Sequence, residues 1–282
     1  MIRQVVGGFL FLYATIGPMK TFISWNVNGI RAAEKKGFPK WLAESKADVV
    51  GLQEVKIDDE TKLSAALTHP DGYTAYWDLE KEKKGYSGVG VYTKEKPKKF
   101  TKDFGDNPRS GYSSILTREG RMIELDFGDF IYQNIYFPNG GSGEERLNYK
   151  LKFYDEFLEY NKSLLKKGKN IIFGGDVNTA HFPIDLARPK ENEQKSGFMP
   201  IERAWLDKFV AAGFTDSFRL LHPDNVGYSW WDQKTHARDR NVGGRIDQFW
   251  VSEKLKNKVK KAFILGEVLG SDHAPVGVTL DL

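Results

Sequence analysis

Six short apolar segments of this chain each meet, at one edge, a carboxylate, a carboxamide or a histidine. That repeated punctuation limits its fold more than any other feature. The clearest case is residues 170–181, NIIFGGDVNTAH. Ile171, Ile172 and Phe173 read as a buried strand. Gly174 and Gly175 predict a sharp backbone turn at its end. Asp176 and Asn178 follow, two residues apart and so on one side of an extended chain. In α/β proteins the carboxyl ends of strands are where ligands and chemistry collect. Gly, Asp and Asn are also ordinary turn formers, so this stretch alone is equally well a turn.

The other five punctuations are Asn26 with Asn28, Glu54, Tyr136 with Asn139, Arg245-Ile246-Asp247, and Ser271-Asp272-His273. Strands are predicted at residues 21–25, 48–52, 73–78, 89–93, 246–252 and 274–280, with a hairpin of 122–127 and 130–136 around Gly128-Asp129. Residues 38–46 read as a short amphipathic helix with Phe38, Trp41 and Leu42 on one face. Residues 144–166 form the longest helix, with Leu147, Leu151, Tyr154, Phe157 and Leu158 at helical spacing. Pro200 opens a third, through 212. A long polar loop covers 182–199, and a loop of that length inside a compact domain is usually functional. Strands alternating with amphipathic helices, plus one hairpin, predict an α/β fold with some antiparallel pairing.

No linker divides the 282 residues, so one domain over 19–282 is expected. At 40% hydrophobic residues, with 19 Phe, 12 Tyr and 7 Trp, the chain can bury a large core. The absence of cysteine excludes disulfides and thiolate metal sites and fits a reducing compartment, so a cytoplasmic location is expected. A net charge of +4 permits a polyanionic partner without requiring one. The apolar run 5–16 is too short to span a bilayer and lacks an A-x-A cleavage site, so residues 1–18 read as an N-terminal extension rather than a signal or anchor.

If the punctuated edges converge on one rim, their side chains form a definite chemical kit. Hard oxygen ligands such as Glu54, Asp272 and the Asn carboxamides suit Mg²⁺ or Mn²⁺. Asp176 is a candidate base, His273 a candidate acid or positive donor, and Asp247 a candidate partner to orient its ring. Metal, acid and base together hydrolyse phosphoesters. Each member also has a plain structural reading. Glu54 is a plausible cap, Tyr136 a core aromatic, Asp272-His273 a surface turn, and the basic stretch 94–102 solvated surface. His69, His222 and His236 lack such company. Joint occurrence is the argument.

These residues stand in motifs that resemble the exonuclease III family of apurinic/apyrimidinic (AP) endonucleases, within the DNase I-like superfamily. SWNVNGIRA (24–32), GLQEVK (51–56), GYSGVGVY (85–92), IYFPNG (135–140) and GGDVNTAH (174–181) carry the resemblance. IDLARPK (184–190), GFMPIERAWLD (197–207), RNVGGRIDQFW (240–250) and GSDHAPV (270–276) complete it, from about residue 20 to 282. The resemblance implies a four-layer α/β sandwich, two packed mixed β-sheets flanked by helices. It implies Mg²⁺, replaceable by Mn²⁺, on Glu54 with Asn26, Asn28 and Asp272 close by, although some relatives carry Asp where this chain has Asn28. Asp176 would activate water and Asn178 orient it, while His273 paired with Asp247 would hold a phosphate oxygen. Tyr136 and Asn139 would contact the phosphate. The implied reaction is hydrolysis 5′ to an abasic site in double-stranded DNA by a monomer, leaving a 3′-hydroxyl and a 5′-deoxyribose phosphate, with 3′ exonuclease or phosphodiesterase activity beside it.

An abasic nucleotide costs least to swing out of the helix, and a tight pocket then excludes a normal base. Trp230 and Ile246 fit such a wall, and Gly244, where relatives often carry a large apolar side chain, would leave it wide enough to tolerate uracil. Arg31, Lys56, Arg188 and Lys190 are candidate phosphate contacts. Two other readings remain open: a nonspecific nuclease or other phosphodiesterase of the superfamily, and a nucleic-acid-binding protein without catalysis.

Overall fold

The computed structural model describes residues 17–80, 83–104 and 119–282, together with the backbone of two short antiparallel strands, Val5–Val6 and Phe9–Leu10. The reading of residues 1–18 as an extension rather than a signal or anchor falls almost wholly outside the described residues. Among those described, no helix is long and apolar enough to cross a membrane.

In chain order the first four strands of the body are β1 (Met19–Asn26), β2 (Val49–Gln53), β3 (Thr74–Asp78) and β4 (Val89–Thr93). Then come β5 (Lys99–Lys102), β6 (Met122–Asp126), β7 (Ile131–Tyr136), β8 (Ile171–Asp176) and β9 (Phe214–Asp216). A two-residue ribbon, β10 (Trp230–Trp231) with β11 (Gly243–Gly244), precedes β12 (Asp247–Ser252), β13 (Val259–Ile264) and β14 (Val276–Asp281). The helices are α1 (Ile30–Lys35), α2 (Phe38–Ser45), α3 (Ala65–Thr68), α4 (Glu144–Lys166), α5 (Pro189–Asn192), α6 (Pro200–Ala211) and α7 (Ser217–Leu221).

Two six-stranded sheets result, ordered β13-β14-β1-β2-β4-β3 and β9-β12-β8-β7-β6-β5. They share one plan. In the first, β1 lies between antiparallel β14 and parallel β2; in the second, β8 lies between antiparallel β12 and parallel β7. Alternation along the strands sends one set of side chains between the sheets and the other under helices. Phe22, Val91 and Val278 of the first sheet meet Ile123, Tyr132, Ile172 and Phe249 of the second. On the far face of the first sheet, Ile23, Val50 and Leu52 pack under Ile30, Phe38 and Leu42. On the far face of the second, Ile171, Phe173 and Trp250 pack under Phe153, Phe157, Trp205 and Phe209 of α4 and α6. Helix, sheet, sheet, helix is the four-layer sandwich expected.

Two local expectations need correction. Gly174 and Gly175 do not turn the chain, because β8 runs straight through them to Asp176. They are there for close approach: a Cβ on Gly175 would sit 1.8 Å from the Ile135 carbonyl oxygen, and one on Gly174 2.3 Å from the Phe249 ring. The basic stretch 94–102 is solvated surface as expected, all its lysines exposed, and it carries β5 at the edge of the sheet. The polar loop 182–199 is pinned by a 3-10 turn at Pro183–Asp185 and by α5.

Candidate active site

The central strands of both sheets end on one rim, where four consecutive features bend the chain sharply. Asn28, Glu54, Lys56 and Asn178 all have φ between +46° and +55°, the left-handed region that non-glycine residues enter at a cost of about 1–3 kcal/mol each. Backbone bonds hold them there: Gly29 N–H to the Glu54 carbonyl at 2.8 Å, and Lys56 N–H to that of Ser87 at 2.9 Å. The turns aim side chains from both sheets into one cavity of about 420 Å³. Asn28, Glu54, Lys56, Tyr136, Asn139, Asp176, Asn178, Trp230, Ile246, Asp272 and His273 line it, so the six punctuations do converge.

Asn26 joins the two sheets. Its Nδ2 donates to Glu54 Oε1 and to Asp176 Oδ2, both at 2.9 Å. Glu54 Oε1 also accepts from Tyr136 Oη at 2.9 Å, and its Oε2 pairs with Lys56 Nζ at 2.8 Å. Burial pushes the Glu54 carboxyl up, but Lys56 and Asn26 outweigh it and leave Glu54 below its ordinary value. Tyr136 is driven well above its own by burial and by Glu54, so it keeps its proton. Arg121, itself buried, lies 4.5 Å from the Tyr136 ring centre and donates to the Tyr136 carbonyl at 3.0 Å.

Asp176 is 1% exposed. Its Oδ1 accepts the Asn178 N–H at 2.8 Å and its Oδ2 the Asn178 carboxamide at 3.2 Å. Burial first, then the charges of Asp247 and Glu54, raise its pKa to about 7, with His273 opposing. Asp247, opposite Asp176 across β8 and β12, accepts from His273 Nδ1 at 2.8 Å. Burial would neutralise the His273 ring, yet Asp247 more than reverses this and raises it to about 10. His273 is therefore an imidazolium at neutral pH, with Nδ1 taken and Nε2 left for the cavity.

Ligand-capable atoms of Glu54, Asp176 and His273 lie within 4.8 Å of one another. The carboxylate oxygens of this group suit a hard divalent cation, whereas His273 Nδ1 is already engaged with Asp247. Asp272 falls outside that group. Its Oδ1 accepts from Asn28 Nδ2 at 2.8 Å and its Oδ2 from Trp230 Nε1 at 3.3 Å.

Asn139 reaches Asn178 Oδ1 at 3.2 Å. Lys56 sits on Glu54 and on Asn28 Oδ1 rather than free on the surface. Arg31 is exposed on α1 away from the cavity. Arg188 lines a neighbouring cavity of about 400 Å³, beside Glu191. The wide wall expected at Gly244 is not found, because a Cβ there would meet Leu186 Cδ1 at 3.0 Å.

Three supporting groups escaped the sequence reading. Lys150, fully buried, donates to the Asn178 carbonyl at 2.8 Å, Thr179 Oγ1 at 2.9 Å and Glu202 Oε1 at 2.6 Å. Its signal was present: a lysine three and four residues before Phe153 and Tyr154, on the apolar stripe of α4. Asp185, also fully buried, accepts from Arg245 Nε at 2.7 Å and Arg219 Nε at 3.0 Å. Leu186 lies in the IDLARPK motif, which carries the family resemblance, and nothing in the sequence marks this leucine as lining the cavity.

A family model described as the Endonuclease/Exonuclease/phosphatase family matches residues 23–273. The chain is 41% identical to an exodeoxyribonuclease of Bacillus subtilis (strain 168) over 262 residues, 92% of this chain and 99% of that protein. Among solved structures it is similar to the AP endonuclease LMAP from Leishmania major, with a TM-score of 0.83 at 30% identity over 94% of this chain and 88% of that one. It is also similar to the 3′ phosphatase NExo from Neisseria bound to a product DNA hairpin, with a TM-score of 0.82 at 25% identity over 93% of this chain and 100% of that one.

Proposed function

The chain belongs to the endonuclease/exonuclease/phosphatase family and is a nuclease of its exodeoxyribonuclease and AP endonuclease branch; from that premise we propose that it repairs DNA by hydrolysing the backbone 5′ to an abasic site. The products are a 3′-hydroxyl and a 5′-deoxyribose phosphate, and 3′→5′ removal of nucleotides accompanies the nick. The observation that carries the reading is the buried Asp176 carboxylate, fixed by Asn26 and Asn178 between Glu54 and the His273–Asp247 pair.

Asp176 takes the proton from a water that Asn178 helps orient. The water oxygen bonds to phosphorus as the bond to the 3′-oxygen of the preceding nucleotide breaks, and that oxygen takes a proton from solvent water to become the 3′-hydroxyl. His273, positive and held by Asp247, donates from Nε2 to a non-bridging phosphate oxygen, where charge develops in the transition state. Tyr136 and Asn139 add neutral donors on the phosphate. Glu54, with Asn26 at its side, would hold Mg²⁺ or Mn²⁺, which when bound would offset charge on the phosphoryl oxygens. A cation at Glu54 also favours the ionised form of Asp176, against the burial that raises it.

The test uses a labelled duplex with one tetrahydrofuran abasic analogue, incubated in Mg²⁺, in EDTA, and with Asp176→Asn. A single Mg²⁺-dependent nick 5′ to the analogue, absent from the variant, is expected. An intact duplex shortened only from its 3′ ends makes the enzyme an exonuclease instead. No cleavage at all removes the proposal.

A further inference from the structure

Trp230 and Leu186 stand between two cavities of nearly equal volume. The first, about 420 Å³, contains Asp176, Glu54 and His273. The second, about 400 Å³, lies between the loop carrying Arg188 and the loop carrying Arg240 and Val242. Both residues line both cavities, together with Asn192 and Lys195, so the divide between the cavities is built from these four side chains. Across from Trp230 in the ribbon, β11 offers only Gly243 and Gly244, which supply no side chain to the divide. Leu186 fills that space from another segment: it bridges to Gly244, and its Cδ1 lies where a larger residue at 244 would have to go.

A wall carried on a loop is useful only if the loop is fixed. This one is fastened on both sides of Leu186. Ala187 N–H donates to the Gly243 carbonyl at 3.0 Å and Arg245 N–H to that of Asp185 at 2.8 Å. The Asp185 side chain, with no solvent exposure, is gripped by Arg245 and Arg219, and Arg245 is held in turn by Asp216 at 2.6 Å. Arg245 directly precedes Ile246 and Asp247, so the same guanidinium braces the wall and the strand that supports His273.

We propose that Leu186 is the specificity-determining wall of the active-site cavity, borne by an ion-paired loop in place of a side chain at position 244, and that it excludes nucleotides that still carry a base. This rests on the abasic reading above. A base-free deoxyribose stops at the partition, whereas a nucleoside needs the space behind it. Shortening Leu186 joins the two cavities and gives a base somewhere to go. Discrimination resting on one or a few methylene groups amounts to roughly 10–200-fold.

The experiment measures nicking rates and, in EDTA, dissociation constants for two duplexes, one with tetrahydrofuran and one with uracil at the same position. Wild type, Leu186→Val, Leu186→Ala and Leu186→Ala/Gly244→Leu are compared, with folding checked by thermal melting. The expected result is a wild-type preference for tetrahydrofuran that falls at least tenfold in Leu186→Ala and less in Leu186→Val. The double variant, which rebuilds the wall from the other side, recovers it. A wild-type preference that persists unchanged in both single variants overturns the role of Leu186 and leaves the AP endonuclease reading intact. A wild type that binds and cuts both duplexes alike, or cuts neither, overturns both. Leu186 is partly exposed, and the valine variant removes one methylene only, so a folding defect in the alanine variant still leaves a decisive comparison.

Discussion

As the proposed general base, Asp176 must stay buried and still give up a proton. Its raised value near 7 places that balance at working pH, and a general base is most effective there. Replacing it with Asn keeps the shape and both neighbouring carboxamides but removes the base, so nicking of an abasic duplex should fall by about 10²–10⁴-fold with little change in DNA affinity. His273 gives a separate pH signature. Its value is raised to about 10, above the ordinary 6.5, so its pair with Asp247 stabilises the fold fully below about pH 6.5 and loses that contribution as pH rises through about 10. In Asp247→Asn the largest of the charges that raise it is gone, leaving only Asp176 and Asp272 against burial, so its value falls. Activity of that variant should therefore decline with rising pH at a lower pH than in the wild type, which instead gains activity as Asp176 ionises near 7, in a kcat/KM profile from pH 5 to 9. Most of these residues were legible because each ends or begins an apolar run. Lys56 was legible as a cation but not as the partner of Glu54, since that contact depends on a left-handed backbone at both positions.

Among the elements, β1, β2, β4, α4 and α6 could be read almost to the residue, because period-two or helical spacing is strong there. Others could not. Gly174 and Gly175 look the same in sequence whether they turn a chain or let two strands and a ring come close, and only the neighbouring Ile135 and Phe249 decide it. α1, β9 and β13 are held by packing more than by their own pattern. β13, with its exposed Lys260 and Lys261, alternates too weakly to stand out. Two elements are joined by charge: Lys150 of α4 and Glu202 of α6 are both fully buried. Lys150→Met leaves Glu202 buried without its cation and should cost about 3–5 kcal/mol in urea unfolding, whereas Lys150→Met/Glu202→Leu should recover much of that. Asp185 behaves similarly with a pH dependence. Burial pushes its carboxyl up, but Arg245 and Arg219 outweigh it and hold it below 3.8. Its contribution is thus present above about pH 4 and lost as pH falls below that, so the stability gap between wild type and Asp185→Asn should shrink in acid.

For the whole molecule, the net charge of +4 is modest, so binding to a polyanion must rest on where the cations stand. The logarithm of DNA affinity should fall linearly with the logarithm of salt, at roughly −0.9 per phosphate neutralised, and Arg188→Ala should flatten that slope by about one such unit if it touches the backbone. An unchanged slope in a salt titration removes Arg188 from the contact surface. The pairing of β1 with β14, Met19 opposite Asp281, bears on synthesis as well as architecture. The strand that places Asn26 has one edge waiting for a partner that is made about 250 residues later. At about 5–20 residues per second that edge stays open for on the order of tens of seconds, long enough to need a guardian or a fast ribosome exit. A nascent chain stalled before Val276 should remain protease-sensitive and inactive however much of the site it already contains.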